Sequence, residues 1–325
     1  MKALVTGATG FTGTALCRRL VQDGWGVAAF VRSSSRRDHL EELGVECIET
    51  DITDAESVRQ TFPDTDVVFN IAAAYRTEHV DESIFERVNV HAVRNLLEEA
   101  QRRGVRRFVH CSTVGVQGEI EDPPAAEDYR FEPGDHYQES KLAGEQLALE
   151  FAKNGLELTV VRPVGIYGPG DTRFLKLFKP VSKGYFLMIG SGNSLYHMTY
   201  IDDLVEGFVL AATREEAVGE VFTIAGEKYT TLNELVQQVA DAVGVKRRDI
   251  HIPLRPVMWA AVACDRIFRS IGKRPPLYPR RVEFFVLDRA FSIDKARRLL
   301  GYQPRVSLEE GLRRTAEWYR SEGLI

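Results

Sequence analysis

Long apolar runs are missing from this sequence. No stretch approaches the eighteen or so residues that a membrane-spanning helix requires, and the best candidate, Met258 to Cys264, stops at Asp265. Cysteine is scarce: Cys17, Cys47, Cys111 and Cys264 form no C-x-x-C pair and share no regular spacing. That speaks against a disulfide scaffold or zinc ribbon and predicts reduced, mostly buried thiols. The seven histidines form no H-E-x-x-H or similar cluster, so no structural or catalytic metal is expected. An excess of basic charge is lacking too. The formal net charge is -5, which gives no reason to expect nucleic acid or an acidic membrane as the main partner. A strand-like run begins at Lys2, leaving no room for a targeting peptide, and the expected location is the cytoplasm. Repeats and low-complexity tracts are absent.

What remains is an ordinary globular composition, 44% apolar and 27% charged over 325 residues, ample for one large or two smaller domains. "KALVTG" reads as a first strand and Gly10 to Asp23 as an amphipathic helix. "GVAAFVR", "VECIETD" and "DVVFNIAAA" follow as strands, then a long helix from about Asp81 to Arg103. "VRRFVHCS" is a fifth strand, "HYQESKLAGE" lies in the next helix, and "LELTVVRP" is a sixth strand. Near-continuous apolar strands alternating with helices predict an α/β fold, a Rossmann-type doubly wound parallel sheet covered on both faces. After Pro163 the texture loosens. "GEVFTIAG" is a strand, a helix from Thr231 to Val243 is capped by Thr230 or Thr231, and a last helix starts at Ser307. The expected division is 1–163 as the dinucleotide-binding domain and 164–325 as a smaller substrate lobe, partly woven back into the first.

"VTGATGFTG" sits between the first strand and first helix. Gly7 suits a tight turn, Gly10 close approach to a pyrophosphate, and Gly13 close helix packing, with Thr9, Phe11 and Thr12 in the same loop. Alone a glycine motif is weak; at this place in βαβ order it is strong. An Asp or Glu that takes the ribose hydroxyls of NAD is missing from the second strand, which ends in Val31 and Arg32. Arg32, with Ser33 and Arg36 or Arg37, suits a 2′-phosphate and favours NADP over NAD, unless this is a solvated basic loop. Asp51 and Ile52 are placed for the adenine, and the small Ala72, Ala73 and Ala74 leave space beside the fourth strand.

Tyr137 and Lys141 are four apart, so on a helix they share a face. A Lys ammonium stabilises a phenolate and makes Tyr a usable proton donor and acceptor, although taken alone the spacing also fits two unrelated surface residues. With the glycine loop, "DIT", "STV" and Y-x-x-x-K together, the chain resembles the extended short-chain dehydrogenase/reductase family, nearly end to end through "RPVGIYGPGD", "YIDDLVEG" and "KARRLLGYQPRVSLEEGL". Within it the chain is most similar to the 3β-hydroxysteroid dehydrogenase and dihydroflavonol reductase-like branch. The resemblance implies Tyr137 as acid/base, Lys141 as its partner on the nicotinamide ribose, and Thr113 as hydrogen-bond donor to the substrate oxygen, with Ser112 as fallback. It implies Asn89 as a brace, and Pro163, Val164 and Ile166 along the nicotinamide. Candidate substrate contacts are Tyr75, Tyr167, Arg173, Tyr196, His197 and Trp259.

Departures from the family pattern narrow the reaction. Family dehydratases carry an Asp-Glu pair after the catalytic Thr, where this chain has Val114 and Gly115. Nucleotide-sugar members usually have Asn at Gly165 and Arg at Tyr196, although Arg173 is able to substitute. The resemblance therefore implies an NAD(P)-dependent oxidoreductase acting on a secondary alcohol or ketone of a fairly apolar small molecule. The alternatives are a nucleotide-sugar 4-epimerase with tightly held NAD, and a non-catalytic dinucleotide-binding regulator. A homodimer is expected by analogy with relatives. Arg255 to Arg274 combines an apolar face with basic residues, and reads either as a helix packed on the small lobe or as a lid whose apolar face closes over an apolar substrate and, when open, is able to touch a membrane surface transiently.

Overall fold

The structure is a computed structural model, and it describes residues 1–75, 82–273 and 275–325. Asp81, the expected start of the long helix, and Arg274 lie outside the described residues. Seven parallel strands form the central sheet: β1 (Lys2–Thr6), β2 (Gly26–Val31), β3 (Glu46–Glu49), β4 (Val67–Asn70), β5 (Arg107–Cys111), β6 (Leu158–Pro163) and β7 (Val221–Ile224). Their order is β7-β6-β5-β4-β1-β2-β3. The chain winds outward from β1 through β2 to β3, then crosses back to β4 on the other side of β1. The crevice between the ends of β1 and β4 is thus the topological switch point, where open α/β sheets bind ligands.

Successive residues of each strand face opposite layers. Ala3 and Val5 of β1 join one core with Leu16 and Leu20 of α1 (Phe11–Gln22), while Leu4 joins the other. That second core is closed by Leu96 and Leu97 of α2 (Ala92–Arg103) and by Leu147 and Ala148 of α3 (His136–Lys153). Helix α4 (Ile201–Thr213) covers the first face with Leu204 and Phe208. Burial on both sides is why these strands lack the apolar/polar alternation of a half-exposed sheet.

Helix α2 is preceded without a break by a π-helical turn, Arg87–His91, which puts an extra residue into the helix around Asn89. Beyond β6 the chain makes two-residue ladders, Ile166–Tyr167 with Thr199–Tyr200 and Met188–Ile189 with His251–Ile252. It then returns to the main sheet as β7, beside β6. Helix α5 (Leu232–Val243) starts at Thr231, whose side chain and Glu234 form a reciprocal capping box. Helix α6 (Leu254–Ser270) and α7 (Leu308–Ser321) complete the lobe, and Ser307 caps α7. Of the segments after residue 163, α4 and β7 pack with the sheet.

Candidate active site

After β1 the chain turns at Gly7, whose φ of +69° is a conformation side chains disfavour. A Cβ on Gly7 would lie 2.8 Å from the Ala72 backbone, and one on Gly13 would lie 2.2 Å from the Gly7 carbonyl oxygen. Strand β1, helix α1 and the segment after β4 thus approach more closely than any other residue permits. Gly10 is the N-cap of α1 and offers no side-chain cap, so the first N–H groups of the helix are left for a ligand. This is the geometry that receives a dinucleotide pyrophosphate, and the half-buried Thr9, Phe11 and Thr12 line it. The residues present fit NAD(P).

The segment Ala72 to Ala74 is held from below. The Ala72 amide donates to Thr6 Oγ1 (3.1 Å), Thr6 Oγ1 donates to Asn70 Oδ1 (2.8 Å), and Asn70 Nδ2 meets His110 Nδ1 at 3.1 Å. Complete burial, with Lys141 nearby, holds His110 well below its usual 6.5 and keeps the ring neutral, and because the Asn70 amide nitrogen can only donate, Nδ1 is the acceptor. At the other end of the crevice Arg32 is exposed and its guanidinium makes no hydrogen bond or ion pair with any described residue, whereas Arg37 pairs with Glu41 at 3.2 Å. Asp51 Oδ1 accepts from the Thr53 amide (2.9 Å) and hydroxyl (2.7 Å), and Asn95 holds the Ile52 carbonyl (3.0 Å).

Asp135 caps α3 by accepting from the Gln138 amide at 2.8 Å. Two positions on, Tyr137 is half-buried, edge-on to the Tyr75 ring at 5.1 Å and to Phe85 at 6.3 Å. Lys141, one turn later on the same face, is only 2% exposed, and its Nζ donates to the Cys111 carbonyl at the end of β5 (2.6 Å). Burial pulls the Lys141 pKa below the usual 10.5, and the neighbouring Cys111 and Glu145 oppose that shift. Thr113 starts a 3₁₀ turn, where its Oγ1 accepts from the Gly115 amide at 3.1 Å. That contact uses a lone pair, so the hydroxyl proton stays available for a substrate oxygen.

Asn89 sits at the π turn and grips Ala74 with both ends of its amide: Oδ1 accepts from the Ala74 N–H (2.8 Å) and Nδ2 donates to its carbonyl (3.1 Å). Nδ2 also donates to Ser140 Oγ on α3 (2.9 Å). The turn lies so near α3 that a Cβ on Gly144 would stand 2.2 Å from the Asn89 carbonyl oxygen.

Residues 3–225 match the NAD dependent epimerase/dehydratase family. The chain belongs to that family. It is 33% identical to a 3 beta-hydroxysteroid dehydrogenase/Delta 5-->4-isomerase of Mycobacterium tuberculosis, over 98% of this chain and 90% of that protein. It is 32% identical to a 2-alkyl-3-oxoalkanoate reductase of Stenotrophomonas maltophilia, over 97% and 98% of the two chains. Among solved structures, gox2253 superposes with a TM-score of 0.85 at 27% identity, covering 99% of each chain. The NAD complex of a UDP-glucuronic acid 4-epimerase from Bacillus cereus does so with a TM-score of 0.77 at 26% identity, also covering 99% of each.

Several residues expected at the site of this family member lie elsewhere. Ser112 cannot stand in for Thr113, because its buried hydroxyl donates to Glu145 Oε2 at 2.5 Å. Pro163 and Val164 are buried, so only Gly165 and the half-buried Ile166 present surface in that stretch. Tyr167 is core, with its hydroxyl towards the Leu308 carbonyl (3.5 Å). It borders a cavity of 460 Å³ lined also by Tyr200, Tyr229 and Gln238, and Tyr137, Lys141 and Thr113 are not in that lining. Tyr196 is buried, donating to the Phe284 carbonyl and accepting from Arg289. His197 is buried between the Phe291 (3.1 Å) and Gly226 (2.9 Å) carbonyls. Trp259 is 73% exposed on α6 and joins no aromatic pair among the described residues.

Arg173 and Tyr75 do reach the cleft. Asp171, itself buried, orients Arg173 Nε (2.7 Å), and the guanidinium lies 5.7 Å from the Phe11 ring and 5.9 Å from the Tyr75 ring. The lobe is thereby stacked against both the glycine-rich loop and the ring beside Tyr137.

The sequence reading passed over Glu145. It is fully buried, accepts from Ser112, and forms a fork with Arg162 through Oε2–Nε (3.0 Å) and Oε1–Nη2 (2.5 Å). Arg162 Nη1 reaches the Glu127 carbonyl (2.8 Å), and the Glu127 carboxylate accepts from the Thr223 amide of β7 (2.8 Å). This chain of charges stitches α3, β5, β6 and β7 together behind the Tyr–Lys pair. A signal existed: Glu145 follows Lys141 by four residues, on the same inward stripe as Ser140, Gly144 and Ala148.

Proposed function

We propose that the protein is an NAD(P)-dependent oxidoreductase acting on a secondary alcohol or ketone of a largely apolar small molecule. The observation that carries this reading is the pair Tyr137 and Lys141 on one face of α3, with Lys141 buried and fastened to the Cys111 carbonyl beside the switch-point crevice. Both relatives named above are a dehydrogenase or a reductase, one of them of a steroid. The aromatic surround of Tyr137, made by Tyr75 and Phe85, suits an apolar substrate.

In this reading Gly7, Gly10, Gly13 and the N-terminus of α1 hold the pyrophosphate of NAD(P), which when bound supplies or accepts the hydride. Tyr137 takes the hydroxyl proton of an alcohol, or gives its own proton to a carbonyl oxygen. Thr113 orients that oxygen with its free O–H. Lys141 supplies positive charge beside the phenol and favours its ionised form. Asn89 fixes the Ala74 segment and α3 relative to each other, which preserves the distance between crevice and phenol. Arg32 inclines the site to NADP, since it stands unpaired where the 2′-phosphate would lie.

Two features weigh against a nucleotide-sugar substrate. Gly165 has φ +30°, and a Cβ there would sit 2.6 Å from the His197 carbonyl oxygen, so a larger residue is strained at that position. Tyr196 is committed to Phe284 and Arg289. The test is Tyr137→Phe assayed against a panel of hydroxysteroids and 3-oxo acids with both dinucleotides. Turnover falls a hundredfold or more with dinucleotide affinity nearly unchanged. Near-normal turnover in the variant defeats the mechanism. NAD that stays with the purified protein until denaturation points instead to the epimerase.

A further inference from the structure

Helix α6 is amphipathic in sequence but has little to pack on. Of its seventeen residues only Ala261 is buried, while Trp259, Ile267 and Ile271, the last at its C-cap, are 73%, 59% and 58% exposed. Taken with the exposed Ala263, these fall at four-residue intervals and make one apolar row along the outward side. Beside that row run Arg255, Arg266, Arg269 and Lys273, all exposed. Arg269 pairs with Asp265 (2.9 Å), but the side chains of Arg255, Arg266 and Lys273 bond to no described residue. The charge is concentrated here. Residues 246–281 hold ten Lys and Arg against two Asp, in a chain whose formal net charge is -5.

We propose that the outward face of α6 docks on an anionic phospholipid surface. An exposed Trp with aliphatic neighbours on one flank and unpaired cations on the other is the arrangement of a helix lying in a membrane interface: the apolar row enters the acyl boundary and the cations meet headgroup phosphates. Charge complementarity selects this occupant over a second copy of the chain, because a symmetric pairing of this face brings two sets of unpaired cations together. The contact is superficial, since no helix among the described residues is long and apolar enough to cross a membrane. The docking face is also coupled to α3. In the short helix Pro279–Glu283 that follows, Arg280 Nη1 bonds to the Gly134 carbonyl (2.9 Å) and to the N-cap Asp135 (2.8 Å). Docking itself does not depend on the catalytic reading.

The experiment is co-sedimentation of the full chain with phosphatidylglycerol-containing vesicles and with pure phosphatidylcholine vesicles, without substrate. Binding favours the anionic vesicles by about tenfold or more and weakens with added salt. Trp259 emission shifts to the blue on binding, and the shift is absent in Trp259→Phe. Arg255→Glu with Arg266→Glu lowers partitioning about tenfold, as does Ile267→Asp. Both exchanges are at exposed positions and leave circular dichroism and dinucleotide binding intact; if Ile267→Asp does not fold, the double arginine variant decides. Absence of binding, equal binding to both vesicle types, or wild-type binding by the arginine variant overturns the proposal. So does light scattering that shows a dimer dissociated by Ile267→Asp, which assigns the face to self-association.

Discussion

Replacing Gly144 by Ala separates two effects that usually run together. Alanine is the better helix former by about 1 kcal/mol, so on propensity alone α3 gains. The added Cβ, however, meets the Asn89 carbonyl oxygen at 2.2 Å. That oxygen belongs to the backbone of the π turn and cannot rotate aside, so the two helices must part by about 1 Å. Overpacking of this kind costs about 1–3 kcal/mol, and the unyielding neighbour places it in the upper part of that range. The net expectation is destabilisation by about 1–2 kcal/mol, read from urea titrations followed by circular dichroism. The displacement also reaches the site, because Asn89 grips Ala74 while Gly144 is one turn beyond Lys141. Calorimetric titration with NAD and NADP should show affinity falling about tenfold. A variant that is instead more stable by the propensity gain, with undiminished dinucleotide affinity, refutes the claim that this close contact sets the site.

Three further outcomes are expected. Arg32→Asp weakens NADP binding by about 1.5–3 kcal/mol while sparing or improving NAD binding; equal affinities of the unaltered protein for the two dinucleotides would dispose of that role. Glu145→Ala strands the buried Arg162 guanidinium and destabilises the fold by about 3–5 kcal/mol, so an unfolding midpoint close to that of the parent contradicts the fork described above. Burial pushes the Cys17 thiol up to about 12 from its ordinary 9.0. The unfolded thiol ionises first, so this contribution to stability is complete below pH 9 and is lost as the pH rises towards 12. Cys17→Ala should make the urea midpoint fall less steeply across that window, and an unchanged slope counts against it.

The alternation of strands and helices through residue 163 was legible because both faces of this sheet are buried, and burial writes apolar runs directly into the sequence. The glycine loop was legible because positive φ and close backbone approach leave few other residues possible. What failed was partner choice. Tyr196 and His197 look like free polar groups until Phe284, Arg289 and Phe291 arrive from nearly a hundred residues away to bind them. Glu145 went unnoticed for the same reason, since Arg162 and Ser112 sit on other elements. The π turn at Asn89 left no mark either, because one inserted residue shifts the apolar period too little to show in a single helix.

The return of β7 to the edge of β6 has a consequence for how the molecule is made. As synthesis proceeds, six strands are available once Pro163 has emerged, yet β6 then presents a bare row of amides and carbonyls. Its partner comes only after the whole intervening lobe segment and α4 have been translated. Until then the half-finished sheet carries an open edge of the kind that recruits foreign strands, and Arg162 lacks the Glu127–Thr223 link that later ties it to β7. A fragment cut after residue 163 should therefore aggregate, and adding the remaining chain as a separate polypeptide should rescue it only by supplying Val221–Ile224.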